Sequence, residues 1–514
     1  MDPSIPYSER NNDLLQEASE GDFPALSSSE HSDQPQSVIE PVGQGREMSL
    51  REVNAMRSAT REIPLEILGH IFELACPQHV VQQQAYLHER SLPFVHGKPR
   101  ELSRVQTGRY FALTLGTVST RWRAAALAHI PLWISLQLLV QGENTQKPAA
   151  ILQLYLDRAK KHPFSLKLDF TELDENMREY SGQWCLCSLQ SLIFQEYAHK
   201  FANLHLVEAP PEWLESISES LSQLESLLLM WKEEGTPIVL PPAHSSVDFG
   251  CIPKLRQLSV TSIPRFQPVS DSVASIYLED VRAEICMQIL LQCRHLVEFV
   301  CNRPSPLPGP VRLQSRVVLG SLIHFGWTAM VMYNWEDAIT RHLHMPRIKH
   351  LGWGTWIEDD QIYRLFSHVP ASNLQSLTFD SFYGKQIVDI RPLLGLVPSL
   401  QYLGIHHSDI RTLQNVFTVL TPQSSECFLP RLGELRVASV HTDPGVKAPS
   451  QHVVDMLKGR WQLGTPAFIL TFRECGFRFE WSHQVYDELA DLVDGGFDLT
   501  IVEDSQEVEW FHRS

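Results

Sequence analysis

The sequence predicts an α/β protein in which a small N-terminal helical module precedes a long solenoid of strand-plus-helix repeats. Three observations support this fold class. Apolar residues recur at helical spacing near residue 65, they alternate at strand spacing after Pro131, and a short apolar pattern recurs from about residue 200. A length of 514 residues, 43% of them hydrophobic, suffices for about three domains or one extended array.

The first segment, residues 1–48, is expected to be a disordered acidic tail. It is rich in Ser, Glu, Asp, Gln and Pro, and such a segment cannot bury enough apolar surface to offset its ordering entropy. Residues 1–62 carry 5 basic and 12 acidic residues, and residues 484–514 carry 1 and 9, so the net charge of −17 lies mainly at the ends. The lack of a basic stripe argues against nucleic-acid binding and against an anionic membrane surface.

The helical module is predicted over residues 49–133. Pro64 suits the first turn of a helix that ends at Pro77, and Gly69 inside it costs about 1 kcal/mol relative to Ala. Residues 78–110 are polar and irregular, which predicts a surface insertion. Ser119 is placed to cap a second helix that runs to Ala128. The first helix has five apolar positions on or beside one stripe: Leu65, Ile67, Leu68, Ile71 and Phe72.

The repeat array is predicted over residues 134–466. Its first strand is indicated by alternation of apolar and polar residues after Pro131. The recurring pattern is apolar, two residues, apolar, one residue, apolar, at offsets mostly in the twenties, as in leucine-rich repeats. One gap of 52 residues would split if Leu319-Leu322-His324 is a degenerate copy. The matches begin at Phe201, Leu224, Leu255, Val273, Leu296, Ile348, Leu374, Leu400 and Leu432.

The array is expected to be an irregular leucine-rich-repeat solenoid, because the asparagine that usually marks the inner turn of such repeats is missing from most units. An ordinary α/β domain without repeats is the alternative. Residues 467–514 are predicted to form a C-terminal capping unit: a strand near 468–472, a helix over 483–493 and a last strand over 497–501. A terminal unit needs a charged outer face, which the acidic residues there provide.

Catalytic and metal motifs were sought by pattern, and no enzymatic activity or cofactor is predicted. The sequence has no phosphate-binding loop, dinucleotide fingerprint, nucleophile elbow or HExxH helix. Nine cysteines without a CxxC pair or a signal peptide predict reduced thiols in the cytoplasm or nucleus. His342 and His344 have a spacing that could share a metal, but the sequence fixes no third ligand, so no metal site is predicted.

Residues 63–133 resemble an F-box of the type abundant in mushroom-forming fungi, in which irregular leucine-rich repeats commonly follow. The resemblance covers about 70 residues and depends on three short segments. It implies that the module binds the Skp-family adaptor of a cullin–RING ubiquitin ligase. The polar insertion at 78–110 is a departure from the family pattern and puts the docking geometry in doubt. The segments are Ile63-Pro64-Leu65-Glu66-Ile67-Leu68 with Ile71-Phe72, then Val118-Ser119 with Arg121-Trp122-Arg123, and Pro131-Leu132-Trp133.

A docking role also follows from size, since a module this small cannot bury all of its apolar residues internally. The alternative is that the whole stripe packs against the repeat array. The predicted adaptor contacts are Pro64, Leu65, Ile67, Leu68, Ile71, Phe72, Val118 and Trp122.

The expected function is that of a substrate-recognition subunit, which binds the adaptor through the helical module and a target protein through the repeats. The alternative is a leucine-rich-repeat scaffold with no link to ubiquitin. Aromatic residues are enriched at binding hot spots, and four of the twelve tryptophans fall within 30 residues. These predicted target contacts, which could instead fill large irregular repeats, are Trp327, Trp335, Trp353 and Trp356.

Overall fold

The structure is a computed structural model, and its described residues all belong to the second of two units, Met1–Ala59 and Thr60–Ser514. The predicted tail at 1–48 and nearly all of the predicted insertion at 78–110 lie outside those residues. The described ranges are 62–76, 110–141, 146–173, 186–210, 213–231, 247–263, 266–267, 270–305, 316–329, 339, 341–354, 364, 366, 369–380, 390–422, 428–440, 450–465, 467–473, 475, 482–504 and 506–507.

The N-terminal helices begin with α1 (Leu65–Ala75), followed by α2 (Phe111–Val118) and α3 (Thr120–Ala128). The predicted cap is confirmed, because the Ser119 hydroxyl accepts a hydrogen bond from the Trp122 N–H at 3.1 Å. The predicted end of this helix at Ala128 is confirmed as well. A 3₁₀ turn over Ile130–Trp133 then leads into the first strand.

The remaining elements alternate between strands and helices along the chain. The helices are α4 (Gln146–Ala159), α5 (Cys187–Ser191), α6 (Trp213–Ser220), α7 (Ala283–Gln292), α8 (Arg391–Leu396), α9 (Ile410–Leu420), α10 (Ser450–Gln462) and α11 (His483–Asp494). The strands of the long sheet are β1 (Ser135–Leu139), β2 (Phe164–Asp169), β3 (Phe201–Val207), β4 (Ser226–Met230), β6 (Gln257–Thr261), β8 (Ser275–Glu279), β9 (Glu298–Asn302), β11 (His324–Thr328), β13 (His350–Gly354), β14 (Ser376–Asp380), β15 (Tyr402–His406), β16 (Glu434–Ala438), β17 (Ala467–Arg473), β18 (Asp498–Glu503) and β19 (Gln506–Glu507). Two separate pairs are β5 (Val247–Asp248) with β7 (Phe266–Gln267) and β10 (Val317–Val318) with β12 (Leu343–His344).

The long sheet confirms the α/β class. Its strands lie in chain order, and each of the first fourteen pairs in parallel with the next, so every connection crosses over in one direction along the sheet. The last strand, β19, pairs antiparallel with β18. Such an order places each new strand on the edge left by the previous one.

Five consecutive strands repeat at a constant offset of 26 residues: Glu298, His324, His350, Ser376 and Tyr402 occupy one register position. The predicted copy Leu319-Leu322-His324 is wrong by three residues, because the unit that matches the register is Leu322-Phe325-Trp327. The 52-residue gap therefore divides equally. A pattern of three apolar residues accepts either choice, and only the strand pairing decides between them.

One face of each strand supplies the core. In the five-residue strands the second and fourth side chains are buried, for example Leu227 with Leu229 in β4 and Leu403 with Ile405 in β15. Helices cover this face, and the core runs continuously from Leu68 to Ile501. Apolar residues at these two positions are what the recurring pattern encodes, since alternate side chains of a strand share a face.

A residue with a left-handed backbone follows the strand in several repeats. Its N–H donates to the carbonyl oxygen of the last residue in the next strand, as Arg303 does to Thr328 at 2.7 Å and Glu208 to Met230 at 2.7 Å. Such a conformation costs on the order of 1–2 kcal/mol for a residue with a side chain. The recurring turn lets the chain leave each strand in the same way. Its members are Glu208, Ser262, Asp280, Arg303, His407 and Ser439, with φ between 45° and 62°.

The predicted C-terminal elements are present, as β17, α11 and β18. They continue the long sheet. The outer side of α11 exposes three acidic residues, Asp487, Asp491 and Asp494, while Val485 and Leu489 face the core. No helix in the described part of the chain has the length and apolar character needed to cross a membrane.

Candidate docking surface

Helix α1 begins directly after Pro64, whose carbonyl oxygen accepts the first helical hydrogen bond from the Leu68 N–H at 2.9 Å. Its inner face packs on α3. Leu68 and Phe72 are buried there, and the Phe72 ring lies 4.8 Å from the ring of Trp122. The Arg121 guanidinium also donates to the Ile63 carbonyl oxygen, which ties the start of α1 to α3.

The outer face of α1 consists of Ile67, Ile71 and Leu74. These residues follow one another at four and three positions, so they form one stripe on the helix. Their exposed fractions are 51%, 44% and 84%. Three large apolar side chains in a row on one exposed helix face favour a partner, because isolated exposed apolar residues are common and aligned ones are not.

The predicted adaptor contacts divide between surface and core. Pro64, Ile67 and Ile71 are exposed, as is Val118 at the end of α2, and Leu65 and Trp122 are half-buried. The assignment of Leu68 and Phe72 as contacts is corrected by their burial, 1% and 3% exposed, against α3. They fix the position of α1, and the sequence pattern missed Leu74 on the outer face.

A polar contact closes the other end of the α1–α3 pair. The Glu73 carboxylate lies 2.8 Å from Nε2 of His129, the residue that caps the C-terminus of α3, and 3.4 Å from Nδ1 of His70. The hydrogen bond with His129 is the main cause that lowers the pKa of Glu73, with burial acting weakly in the opposite direction. Gly69 lies under this contact, because a Cβ there would be 2.8 Å from the His129 ring.

The tryptophans predicted to bind a target do not form a surface. Trp327 and Trp353 are the fourth residues of β11 and β13, and both are buried in the core. Their assignment as target contacts is therefore corrected, and the alternative of large side chains that fill the repeats applies to them. Trp335 and Trp356 lie outside the described residues.

The opposite face of the long sheet carries a polar network that sequence patterns did not reveal. The Asn302 amide donates to the Tyr277 hydroxyl at 2.8 Å, and that hydroxyl donates to Glu279 at 3.2 Å. The Arg303 guanidinium then donates to Glu279 at 3.2 Å and to Asp280 at 2.6 Å. The two carboxylates are thus paired within the sheet. The network holds neighbouring strand ends together, and its left-handed turn residues were not recognisable from sequence.

Comparison with known proteins gives one distant structural match. No known family profile matches this chain, and no curated protein matches it. A search of solved structures finds "Crystal structure of TLR13-ssRNA13 complex" at 11% identity and a TM-score of 0.25. The match covers 71% of this chain and 63% of that one.

Proposed function

We propose that this chain is the substrate-recognition subunit of a cullin–RING ubiquitin ligase. In this proposal the helices α1–α3 form an F-box-like module that binds a Skp-family adaptor and, through it, a cullin. The parallel array is an irregular leucine-rich-repeat solenoid that binds a target protein. The chain itself catalyses no covalent step and acts in the cytoplasm or nucleus.

The outer face of α1 is the observation that carries this proposal. Burying a Leu or Ile side chain contributes on the order of 1.5–3 kcal/mol, so Ile67, Ile71 and Leu74 together could supply most of a micromolar affinity. The same helix carries the Pro-Leu opening of the F-box resemblance, and Ser119 and Trp122 of that resemblance form the cap and inner packing of α3.

The proposed mechanism is proximity. A target held on the array is brought close to a ubiquitin-loaded enzyme at the far end of the complex, and the reaction becomes effectively intramolecular. This role requires two surfaces on one chain and no reactive group. The continuous core that links α1 to the array supports it, because it joins the two surfaces without a flexible hinge in the described residues.

Co-purification with a Skp-family adaptor tests the docking step. The full chain is compared with the triple variant I67A/I71A/L74A. Since each truncation removes apolar contact area, the variant is expected to lose adaptor binding by more than about tenfold, equivalent to about 1.4 kcal/mol. The matched control is L291A/V297A/L463A, which removes three exposed apolar side chains elsewhere.

Unchanged adaptor capture by the folded triple variant would contradict the proposal. If the wild-type chain captures target proteins but no adaptor, the scaffold alternative is favoured. Circular dichroism of each variant shows whether it is folded, and the exposure of all six substituted residues predicts that it is.

A further inference from the structure

Three metal-ligating side chains converge where α1 meets the C-terminus of α3. His70 Nδ1 lies 3.4 Å and His129 Nε2 lies 2.8 Å from the same carboxylate oxygen of Glu73. One ligand atom from each residue falls within 4.8 Å of the other two. Among the residues that the structure describes, this is the one group of three or more such side chains.

The fold builds this arrangement from two elements. His70 and Glu73 are three residues apart on α1 and therefore project from the same side of the helix. His129 arrives from the C-cap of α3, 56 residues after Glu73. Its ring lies against Gly69, where any side chain would occupy the same space, and its centroid is 5.0 Å from that of His70. The glycine thus permits the third side chain to join the other two.

We infer that His70, Glu73 and His129 form a binding site for a divalent transition metal ion, with Zn²⁺ the best match. Zinc binds imidazole nitrogen and carboxylate oxygen at about 2.0–2.2 Å in tetrahedral geometry, which places neighbouring ligand atoms about 3.4 Å apart. The observed separations lie on either side of that value, so small rotations of exposed side chains would complete three of four positions. His70 and Glu73 are 66% and 40% exposed, which leaves the fourth position open to water.

Cys76 is not the fourth ligand. Burial raises the pKa of its thiol, and Cys76 interacts with Tyr155 on the side of the helix that faces the array. A mixed His, His, Glu set without thiolate resembles sites that keep one position for an exchangeable ligand. The ion would join α1 to α3 and so hold the outer face of α1 in place. The inference depends only on these three side chains and does not require the proposed ligase function.

Zinc titration of the metal-stripped full chain tests the inference, with a chromophoric chelator as competitor. Wild-type protein should bind one equivalent tightly and gain thermal stability, because an ion that binds only the folded state stabilises it. H70Q should bind zinc at least about tenfold more weakly, since loss of a direct ligand exceeds the 10–100-fold effect of losing a supporting residue. His70 is mostly exposed, so this variant should fold.

The matched control is H452Q. His452 is exposed on α10, three residues before Asp455, but the described residues place no second histidine beside that pair. H452Q should keep wild-type zinc affinity. Cobalt substitution adds a direct readout, because a tetrahedral site gives visible absorption bands that H70Q and E73Q should lose. The inference is overturned if wild-type protein binds no stoichiometric zinc, or if H70Q and H452Q bind it equally.

Failure of this experiment and failure of the ligase proposal are distinguishable. Zinc binding is measured on the isolated chain, and adaptor capture is measured with variants of Ile67, Ile71 and Leu74. A chain that captures adaptor but binds no zinc refutes the metal site alone.

Discussion

The imidazole of His129 lies directly over Gly69, so that a Cβ added to Gly69 would fall 2.8 Å from the Cγ and Nδ1 atoms of the ring. This contact explains a glycine that the helical pattern alone could only count as a penalty. The helix gives up intrinsic stability at one position, and in return a side chain from a second helix reaches Glu73.

Replacing Gly69 with Ala should therefore destabilise the protein, although alanine is normally the better helix former by about 1 kcal/mol. The His129 ring would have to move, and overpacking of this kind costs about 1–3 kcal/mol. Urea unfolding measures the change. Gly116→Ala in α2 is the control, since its Cβ would meet nothing closer than 3.8 Å, and it should gain about 0.5–1 kcal/mol. Equal effects of both substitutions would contradict the close contact.

The Glu73 carboxylate should make stability depend on pH. Its hydrogen bond with His129 lowers its pKa in the folded protein, so its contribution is present above the unfolded value of 4.5 and is lost as pH falls through the folded value. Glu73→Gln should thus be less stable than wild type at pH 6, and the difference should shrink toward pH 3. The measurement is urea unfolding with a chelator present, and Glu66→Gln on the exposed side of the same helix is the control. A difference that does not change with pH would refute the assignment.

The strand pattern was predictable because it encodes burial directly. Leu227, Leu403 and their equivalents were recognised as core positions from spacing alone, and the structure buries them. Trp327 and Trp353 were misassigned for the same physical reason, since side-chain size drew attention away from strand position. In a parallel array the fourth strand residue enters the core whatever its size, as their burial shows.

The N-terminal surface was predictable only in part. The sequence identifies α1 as apolar on most of its circumference, but it cannot say which side α3 covers. That choice divides Leu68 and Phe72 from Ile67 and Ile71. The Glu73–His129 contact joins residues 56 positions apart, with no periodicity that could indicate it.

Gly404 in β15 should tolerate no side chain while Thr378 stands beside it. A Cβ at Gly404 would lie 2.6 Å from the Thr378 Cγ2 atom on the neighbouring strand. Gly404→Ala should therefore cost about 1–3 kcal/mol of unfolding free energy. In a Thr378→Ala background the nearest side-chain atom retreats to 3.2 Å, so the double variant should recover part of that loss.

Gly433 is the matched control for Gly404, because a Cβ added there would have no atom within 4 Å. Gly433→Ala should stay within about 0.5 kcal/mol of wild type. Additive losses in the Thr378→Ala background would show that Gly404 and Thr378 do not touch.

The two sides of α1 should separate in stability measurements made without any partner. Leu68→Ala and Phe72→Ala remove buried side chains that pack on α3, so each should cost about 2–5 kcal/mol. Ile67→Ala and Ile71→Ala truncate exposed side chains and should change the unfolding free energy by no more than about 0.5 kcal/mol. If the exposed pair proves as costly as the buried pair, α1 is covered on both sides by its own chain. Its outer face would then be unavailable to an adaptor, and the docking proposal would fail before any partner is added.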